Sequence, residues 1–283
     1  MDCASGDCPA QSNLMSPHAI ELRGVTKRFL TPSGAVFTAL QNLDMVVQPG
    51  EFCAVVGPTG CGKSTTLALI SGLEPPSEGE VDVFGEPVTG IGSGIGYVFQ
   101  SDAVFPWKTV LENVAAGPRY RGTSNREARD LARDWISRVG LSGFEDRYPY
   151  QLSGGMRKRV ALAQSLINGP RILLMDEPFS ALDVQTRSLM ENELLGLWAA
   201  SSASVVFVTH DLEEAISLSD RVFVITAGPG TVKSNYKVDL PRPRNVAEIR
   251  FEPRFGEIYQ EIWNDLRDEV LVSYERQKRS GAA

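Results

Sequence analysis

Nowhere in its 283 residues does the chain carry the roughly 18 to 20 consecutive apolar residues that cross a bilayer. Its apolar runs, such as Val205–Val208 and Val222–Ile225, are strand-sized. If the protein works at a membrane, a partner does the spanning. Positive charge is also in deficit: 28 Lys and Arg against 35 Asp and Glu leave a net charge of −7. Binding the phosphate backbone needs a basic surface, so a generic nucleic-acid binder is set aside and no nucleic-acid partner is expected. Cysteine is scarce. Cys3, Cys8, Cys53 and Cys61 match no metal-ligand or disulfide spacing, which points to a reducing, cytoplasmic setting. No basic segment runs into an apolar core at the N-terminus, and no apolar stretch precedes Cys3 or Cys8, so neither a signal peptide nor a lipidation signal is expected. With 42% hydrophobic and 22% charged residues, the remaining composition is that of a globular domain and not of a disordered chain.

The stretch Gly57-Pro58-Thr59-Gly60-Cys61-Gly62-Lys63-Ser64-Thr65 fits the phosphate-binding pattern G-x-x-x-x-G-K-[ST]. It lies between a strand-like run, Glu51–Val56, and a helix-like run, Thr66–Ile70, which is the context the motif requires. The glycines let successive backbone N–H groups turn inward around a phosphate. The helix start adds its positive dipole end, Lys63 a point charge and Ser64 a hydroxyl able to ligate Mg²⁺. A nucleoside triphosphate is the expected ligand. Cys61 lies within the loop, so bound ATP is expected to shield it from thiol reagents.

Residues 1–17 are small and polar without an apolar period and read as a flexible leader. Ile20 to Phe29 suggests an edge strand, and with Thr38–Val47 and Glu80–Gly85 it forms a small antiparallel β-layer. Phe29, on residue type alone, is an ordinary core aromatic or something more. Ile95–Gln100 is a buried-looking strand whose polar end, Gln100, either faces the nucleotide or is simply solvated. From Ser101 to Ser165 the pattern turns helical: Asn125 is the expected cap of a helix to Val139 with Ala128, Leu131, Trp135 and Val139 on one face. Val104-Phe105-Pro106-Trp107 is either local core or a docking groove. Gln151-Leu152-Ser153-Gly154-Gly155-Met156 places a natural cap and two glycines at a helix start, which is either a plain N-cap or a second anion site.

Ile172–Met175 is an apolar run closing on Asp176 and Glu177. If this strand neighbours the phosphate-loop strand, Asp176 can hold a metal's water shell and Glu177 can polarise an attacking water. Asp183 ends a turn into a helix, and His210 follows the apolar strand Ser204–Thr209, where it is either a satisfied boundary histidine or a hydrogen-bond partner of a γ-phosphate. Toward the C-terminus Ile258, Ile262, Leu266 and Val270 recur at spacing four, an amphipathic helix that packs back on the domain.

Taken in order, the phosphate loop, Gln100, Leu152–Met156, Leu173–Glu177, Ser180–Asp183 and His210 resemble the Walker A, Q-loop, signature, Walker B, D-loop and switch histidine of the ATP-binding subunits of ABC transporters. The LSGG segment discriminates this family from other phosphate-loop ATPases. The resemblance implies an α/β fold: a P-loop NTPase core of mostly parallel sheet flanked by helices, with an N-terminal antiparallel β-layer and a helical insert subdomain. The ATPase domain would cover residues 18–235, with the helical subdomain at about 101–165, followed by a C-terminal extension at 236–283. It further implies ATP and Mg²⁺ as cofactors and a head-to-tail dimer with a second copy. Phe29 looks like the aromatic that stacks on adenine, Ser64, Gln100 and Asp176 like the metal-holding set, Glu177 like the general base and His210 like the γ-phosphate switch. Ser153, Gly154, Gly155 and Asp183 look like residues that complete the partner copy's ATP site. Lys158 and Gln164 stand where Gln and Arg are usual, positions expected to lie away from the chemistry. Tyr97–Gln100, Phe105-Pro106-Trp107, Glu112-Asn113-Val114 and Val238–Arg244 look like the nitrate, sulfonate and taurine importers. An importer implies two transmembrane permease subunits, an indirect extracytoplasmic solute-binding protein and a peripheral place on the cytoplasmic membrane face. The other readings are a non-transport ABC protein acting on ribosomes or DNA, another importer class, or a regulatory ATP binder.

Overall fold

The computed structural model describes residues 18–280, and the expected leader, residues 1–17, lies outside them. The chain runs through β1 (Ile20–Leu30), β2 (Val36–Val47), β3 (Phe52–Val56), α1 (Lys63–Ser71), β4 (Glu78–Val83), β5 (Glu86–Pro87) and β6 (Ile95–Val98). Four helices follow, α2 (Val110–Val114), α3 (Ala116–Tyr120), α4 (Asn125–Arg138) and α5 (Gly154–Leu166). The remainder alternates as β7 (Ile172–Asp176), α6 (Val184–Ala199), β8 (Ser204–Val208), α7 (Leu212–Leu218), β9 (Arg221–Ile225) and β10 (Val232–Lys237), and closes with α8 (Val246–Ile249) and α9 (Pro253–Ser280).

Two sheets result. The antiparallel layer has the order β2-β1-β4-β5, and the second sheet the order β10-β9-β3-β8-β7-β6, parallel throughout except for β10. β1 is not the edge strand its sequence suggests: Ile20 pairs with Val47 on one side and with Val83 on the other. Alternation places β4 in this layer as expected, but it reports which face is buried and not which neighbour a strand takes, so the pairing of β4 with the free side of β1 was not visible in it.

The parallel strands are apolar on both faces because both are covered. Along β3, Cys53 and Val55 point into a core shared with β1, β2 and α1, including Ile20, Leu40, Leu67 and Ile70. Phe52 faces the opposite side, against Met190 and Leu194 of α6, while Ala54 and Val56 meet Ile216 of α7 and Ile258 and Ile262 of α9. The helical insert has a core of its own, in which Val114, Ala128, Ile136 and Val160 join α2, α4 and α5.

Two helix expectations shift by a residue or more. Ser124, not Asn125, caps α4, its hydroxyl accepting from the Glu127 N–H at 3.3 Å. The buried face of α4 is Ala128, Ala132 and Ile136, while Leu131 stays exposed. In α9, Phe255, Ile258, Ile262 and Leu266 are buried as expected but Val270 is 40% exposed. A spacing of four turns about 40° further than a whole helical turn at each step, so the stripe winds off the contact face.

Candidate nucleotide site

The carboxyl ends of β3, β6, β7 and β8 bring the site together. Gly62 opens α1 with φ 101°, and a Cβ there would lie 2.5 Å from Leu40 Cδ2, so only glycine fits. Behind it Lys63 is buried, its Nζ donating to the carbonyls of Gly57 at 2.8 Å and Pro58 at 3.0 Å. The ammonium is thus held inside the loop's curve, the place a phosphate would claim.

Ser64 Oγ donates to Asp176 Oδ1 at 3.0 Å. This contact forms although the Asp176 strand does not neighbour the phosphate-loop strand, for β8 lies between β3 and β7. The helix start carries Ser64 across the top of β8 to the end of β7. Burial lifts the Asp176 carboxyl above its ordinary range; the Ser64 hydrogen bond opposes this, Glu177 adds to it, and Lys63 also opposes it.

Glu177 takes φ 43°, a left-handed backbone that costs a non-glycine residue about 1–3 kcal/mol, while its N–H donates to Val208 O at 2.9 Å. One oxygen, Glu177 Oε2, accepts from Gln100 Nε2 at 3.3 Å and lies 3.1 Å from His210 Nδ1. Three residues that close three different strands thereby meet at one carboxylate oxygen. Behind His210, Arg187 ties the turn before α6 to the start of α7, donating to Leu182 O and Asp211 Oδ2, both at 3.1 Å.

Ser153 caps α5, accepting from Met156 N–H at 3.3 Å, and Asp183 caps α6, accepting from Thr186 N–H at 3.0 Å. A Cβ on Gly155 would come within 3.1 Å of Thr186 Cγ2, so these two helix starts form one surface. Among the described residues no hydrogen bond or ion pair joins Ser153, Gly154, Gly155 or Asp183 to the phosphate loop of the same chain. Phe29 pairs across the ladder with Phe37, and directly opposed residues share a face. Phe37 is half exposed and lines a cavity of about 780 Å³ together with Thr38, Gln41, Thr59 and Gly60. Phe37 carries no motif signal of its own in the sequence.

Two expectations are corrected. Cys61 is 1% exposed and burial pushes its thiol above the ordinary range, so the fold itself closes this side chain to reagents. Lys158 is not remote from the site: its buried Nζ donates to the Gln100 carbonyl at 2.6 Å and lies 3.1 Å from Asp102 Oδ1. Arg157 completes this link, its Nε 2.9 Å from Asp102 Oδ2 and its Nη1 donating to Leu152 O at 2.8 Å.

The segment after Gln100 is built around another residue without an assigned role, Asn113. Fully buried, it accepts from Phe105 N–H at 2.7 Å and donates to the carbonyls of Phe105, Lys108 and Thr109. Thr109 and Glu112 form a capping box at the start of α2, a T-x-x-E signal readable in the sequence. The result is a cavity of about 250 Å³ lined by Phe99, Phe105, Tyr120 and Gln164, with Trp107 exposed beside this segment. Farther on, Arg244 is buried and donates to the carbonyls of Ile216, Ser219 and Leu240, stapling the segment after β10 to the end of α7. Burial lowers its pKa to about 10.

Residues 40–180 match the ABC transporter family. An uncharacterized ABC transporter ATP-binding protein of Methanocaldococcus jannaschii is 48% identical over 90% of this chain and 93% of its own length. The nitrate import ATP-binding protein NrtD of Synechocystis is 42% identical over 88% of this chain and 95% of its own length. The aliphatic sulfonates import ATP-binding protein SsuB of Bacillus cereus is 39% identical over 91% and 96%. A dimeric ATP-binding cassette in a post-hydrolysis state with ADP and Pi superposes with a TM-score of 0.70, at 32% identity, over 78% of this chain and all of that one. With the phosphate loop, the paired carboxylates and the strand order of that fold in place, the chain belongs to the ATP-binding proteins of ABC transporters and is an ATPase.

Proposed function

We propose that this ATPase energises an importer of a small anion of the nitrate, sulfonate or taurine type. The observation that carries its chemistry is the meeting of Gln100, Glu177 and His210 at one carboxylate oxygen, beside the Ser64–Asp176 pair. Gly57 to Thr65 cradle the phosphates through their N–H groups, and Lys63 exchanges its loop carbonyls for phosphate oxygens. Phe29 stacks on the adenine. Glu177 accepts the proton of the attacking water, oriented by Gln100, and His210 contacts the γ-phosphate.

Ser64, Asp176 and Gln100 offer hydroxyl, carboxylate and amide oxygens, a hard donor set that suits Mg²⁺, and the 3.0 Å Ser64–Asp176 contact already sets two of them side by side. Mg²⁺ held there would supply charge neutralisation on the phosphates. Asp176 would hold the metal's water shell, and a cation bound there would offset the burial that raises its carboxyl.

Ser153, Gly154, Gly155 and Asp183 stand at two adjoining helix starts that, among the described residues, make no hydrogen bond or ion pair with their own phosphate loop, and they complete the site of a second copy in a head-to-tail dimer. The ATPase domain is residues 18–235, with the helical subdomain at about 101–165, and 236–283 is an extension. Among the described residues no helix is long and apolar enough to cross a membrane. Two permease subunits therefore provide the path, docking at the groove of Phe99, Phe105 and Tyr120, and an extracytoplasmic binding protein delivers the anion. The ATPase sits peripherally on the cytoplasmic face of the inner membrane. Similarity to NrtD and SsuB supports the importer class.

Phosphate release from the assembled transporter tests the site: Glu177→Gln lowers turnover at least about a hundredfold while ATP still binds. Turnover at the normal rate would remove Glu177 as base. Uptake of labelled nitrate, taurine and an alkanesulfonate by cells lacking this subunit tests the substrate class, and normal uptake of all three would exclude it.

A further inference from the structure

The C-terminal helix reaches the nucleotide site. At 28 residues α9 is about 42 Å long, enough to run from the end of β10, where Arg254 Nε pairs with Asp239 at 2.9 Å, past the edge of the sheet to the phosphate loop. Its first half is held by apolar burial through Phe255, Ile258, Ile262 and Leu266. A polar row then takes over, Asp265, Glu269, Ser273 and Arg276, at steps of four, four and three that keep one face of the helix.

Each member of the row but Ser273 holds β10 or the turn between β9 and β10, at the edge of the second sheet. Asp265 accepts from Ser234 Oγ at 2.6 Å and Tyr236 Oη at 2.7 Å on β10. Glu269 pairs with Lys233 at 3.0 Å and accepts the Ala227 N–H at 2.8 Å. Arg276 Nη1 donates to the carbonyls of Ala227, at 3.3 Å, and Gly228. The turn of residues 227–230 is therefore gripped on both its N–H and carbonyl sides by α9.

That turn in turn backs the phosphate loop. A Cβ at Gly230 would fall 2.0 Å from the Cys61 carbonyl, so the two backbones are in direct contact. Gly230 also donates to Ala39 O at 2.8 Å and accepts from Gln41 N–H at 2.9 Å, fixing it to β2. Ser273 and Arg276 line the same cavity as Phe37, Thr59 and Gly60. The Glu269 charge is felt at the Cys61 thiol, where it adds to the upward push of burial.

We propose that Glu269 and Arg276 are positioning residues for ATP binding, holding the 227–230 turn against the phosphate loop so that the C-terminal helix sets nucleotide affinity. This rests on the phosphate loop being the ATP site. The effect passes through loop shape, since neither side chain needs to touch the phosphates. Loss of one charge-assisted clamp leaves the loop free to sample non-binding shapes, which lowers apparent affinity by the fraction of time spent in them.

The experiment is ATP titration of the full chain by calorimetry, with melting temperature measured without nucleotide. Arg276→Ala and Glu269→Ala each raise Kd about tenfold with the nucleotide-free melting temperature unchanged. Glu269→Gln, whose amide oxygen still accepts from Ala227 N–H, stays within about twofold of wild type. Lys63→Ala serves as the control: retained binding there overturns the ATP site itself, independently of α9. Three outcomes overturn the proposal: an unchanged Kd in both alanine variants, a Kd loss matched by a fall in melting temperature, or a Gln variant as weak as the Ala variant.

Discussion

At the scale of single residues, the informative position is Lys158. In the sequence it is a departure from the family's usual glutamine; in the folded chain it is a buried cation on the Gln100 carbonyl, facing a carboxylate shared with Arg157. The first turn of the signature helix and the loop after β6 are thereby one electrostatic unit. Lys158→Met leaves Asp102 with one cation and the Gln100 carbonyl with one donor fewer, which costs about 1–3 kcal/mol in urea denaturation. Adding Asp102→Asn recovers part of that loss, because the two groups are coupled; strictly additive effects in the double-mutant cycle would mean that they are not. Nothing local signals this contact, since 58 residues separate the partners. The cap at Ser153 and the capping box at Thr109 and Glu112, by contrast, are written within four residues and are legible as such.

At the scale of elements, α6 and α7 meet across a cluster of acids. Glu191 of α6 is buried, and burial, then the Glu214 charge, push its pKa up to about 8, with Arg187 opposing, Asp211 adding and Arg250 opposing. Glu214 of α7 is also raised by burial, although Thr209 Oγ1 donates to it at 2.5 Å. Near neutral pH Glu191 is therefore taken into the fold protonated. A folded pKa above the unfolded one means that the native state binds more protons, so stability is full below the unfolded value and falls as pH rises toward about 8. Glu191→Gln removes this dependence. Its stability relative to wild type grows by at most about 1.4 kcal/mol per pH unit over that window and levels off above it. Denaturation midpoints at pH 5, 6.5 and 8 read the slope, and parallel curves for the two proteins would exclude it. The apolar periods of both helices hide this arrangement, because a lone glutamate in a helix reads as a solvated position until the neighbouring helix is placed on it.

At the scale of the whole molecule, the head-to-tail reading of Ser153, Gly154 and Gly155 has a direct test. Lys63→Ala and Ser153→Arg copies, each inactive alone, are mixed within the assembled transporter. A mixed pair retains one site with an intact loop and an intact opposing helix start, so hydrolysis returns to roughly a quarter of wild type if the copies pair at random. No recovery would place Ser153 in the same site as the Lys63 of its own chain. What the sequence alone determined is whatever short-range chemistry writes: a loop whose glycines aim N–H groups at a phosphate, hydroxyl and carboxylate caps a few residues from the N–H groups they satisfy, and apolar runs that demand burial on both faces. Strand order is not of that kind. It decided that β1 is interior, that β8 separates β3 from β7, and that Ser64 meets Asp176 across 112 residues of chain while Gln100 and His210 meet at Glu177. The same holds for α9, whose burial was readable in its stripe but whose grip on the turn behind the phosphate loop was not. Burial is a property each residue carries with it, whereas a contact depends on where sheet order and register deliver its partner.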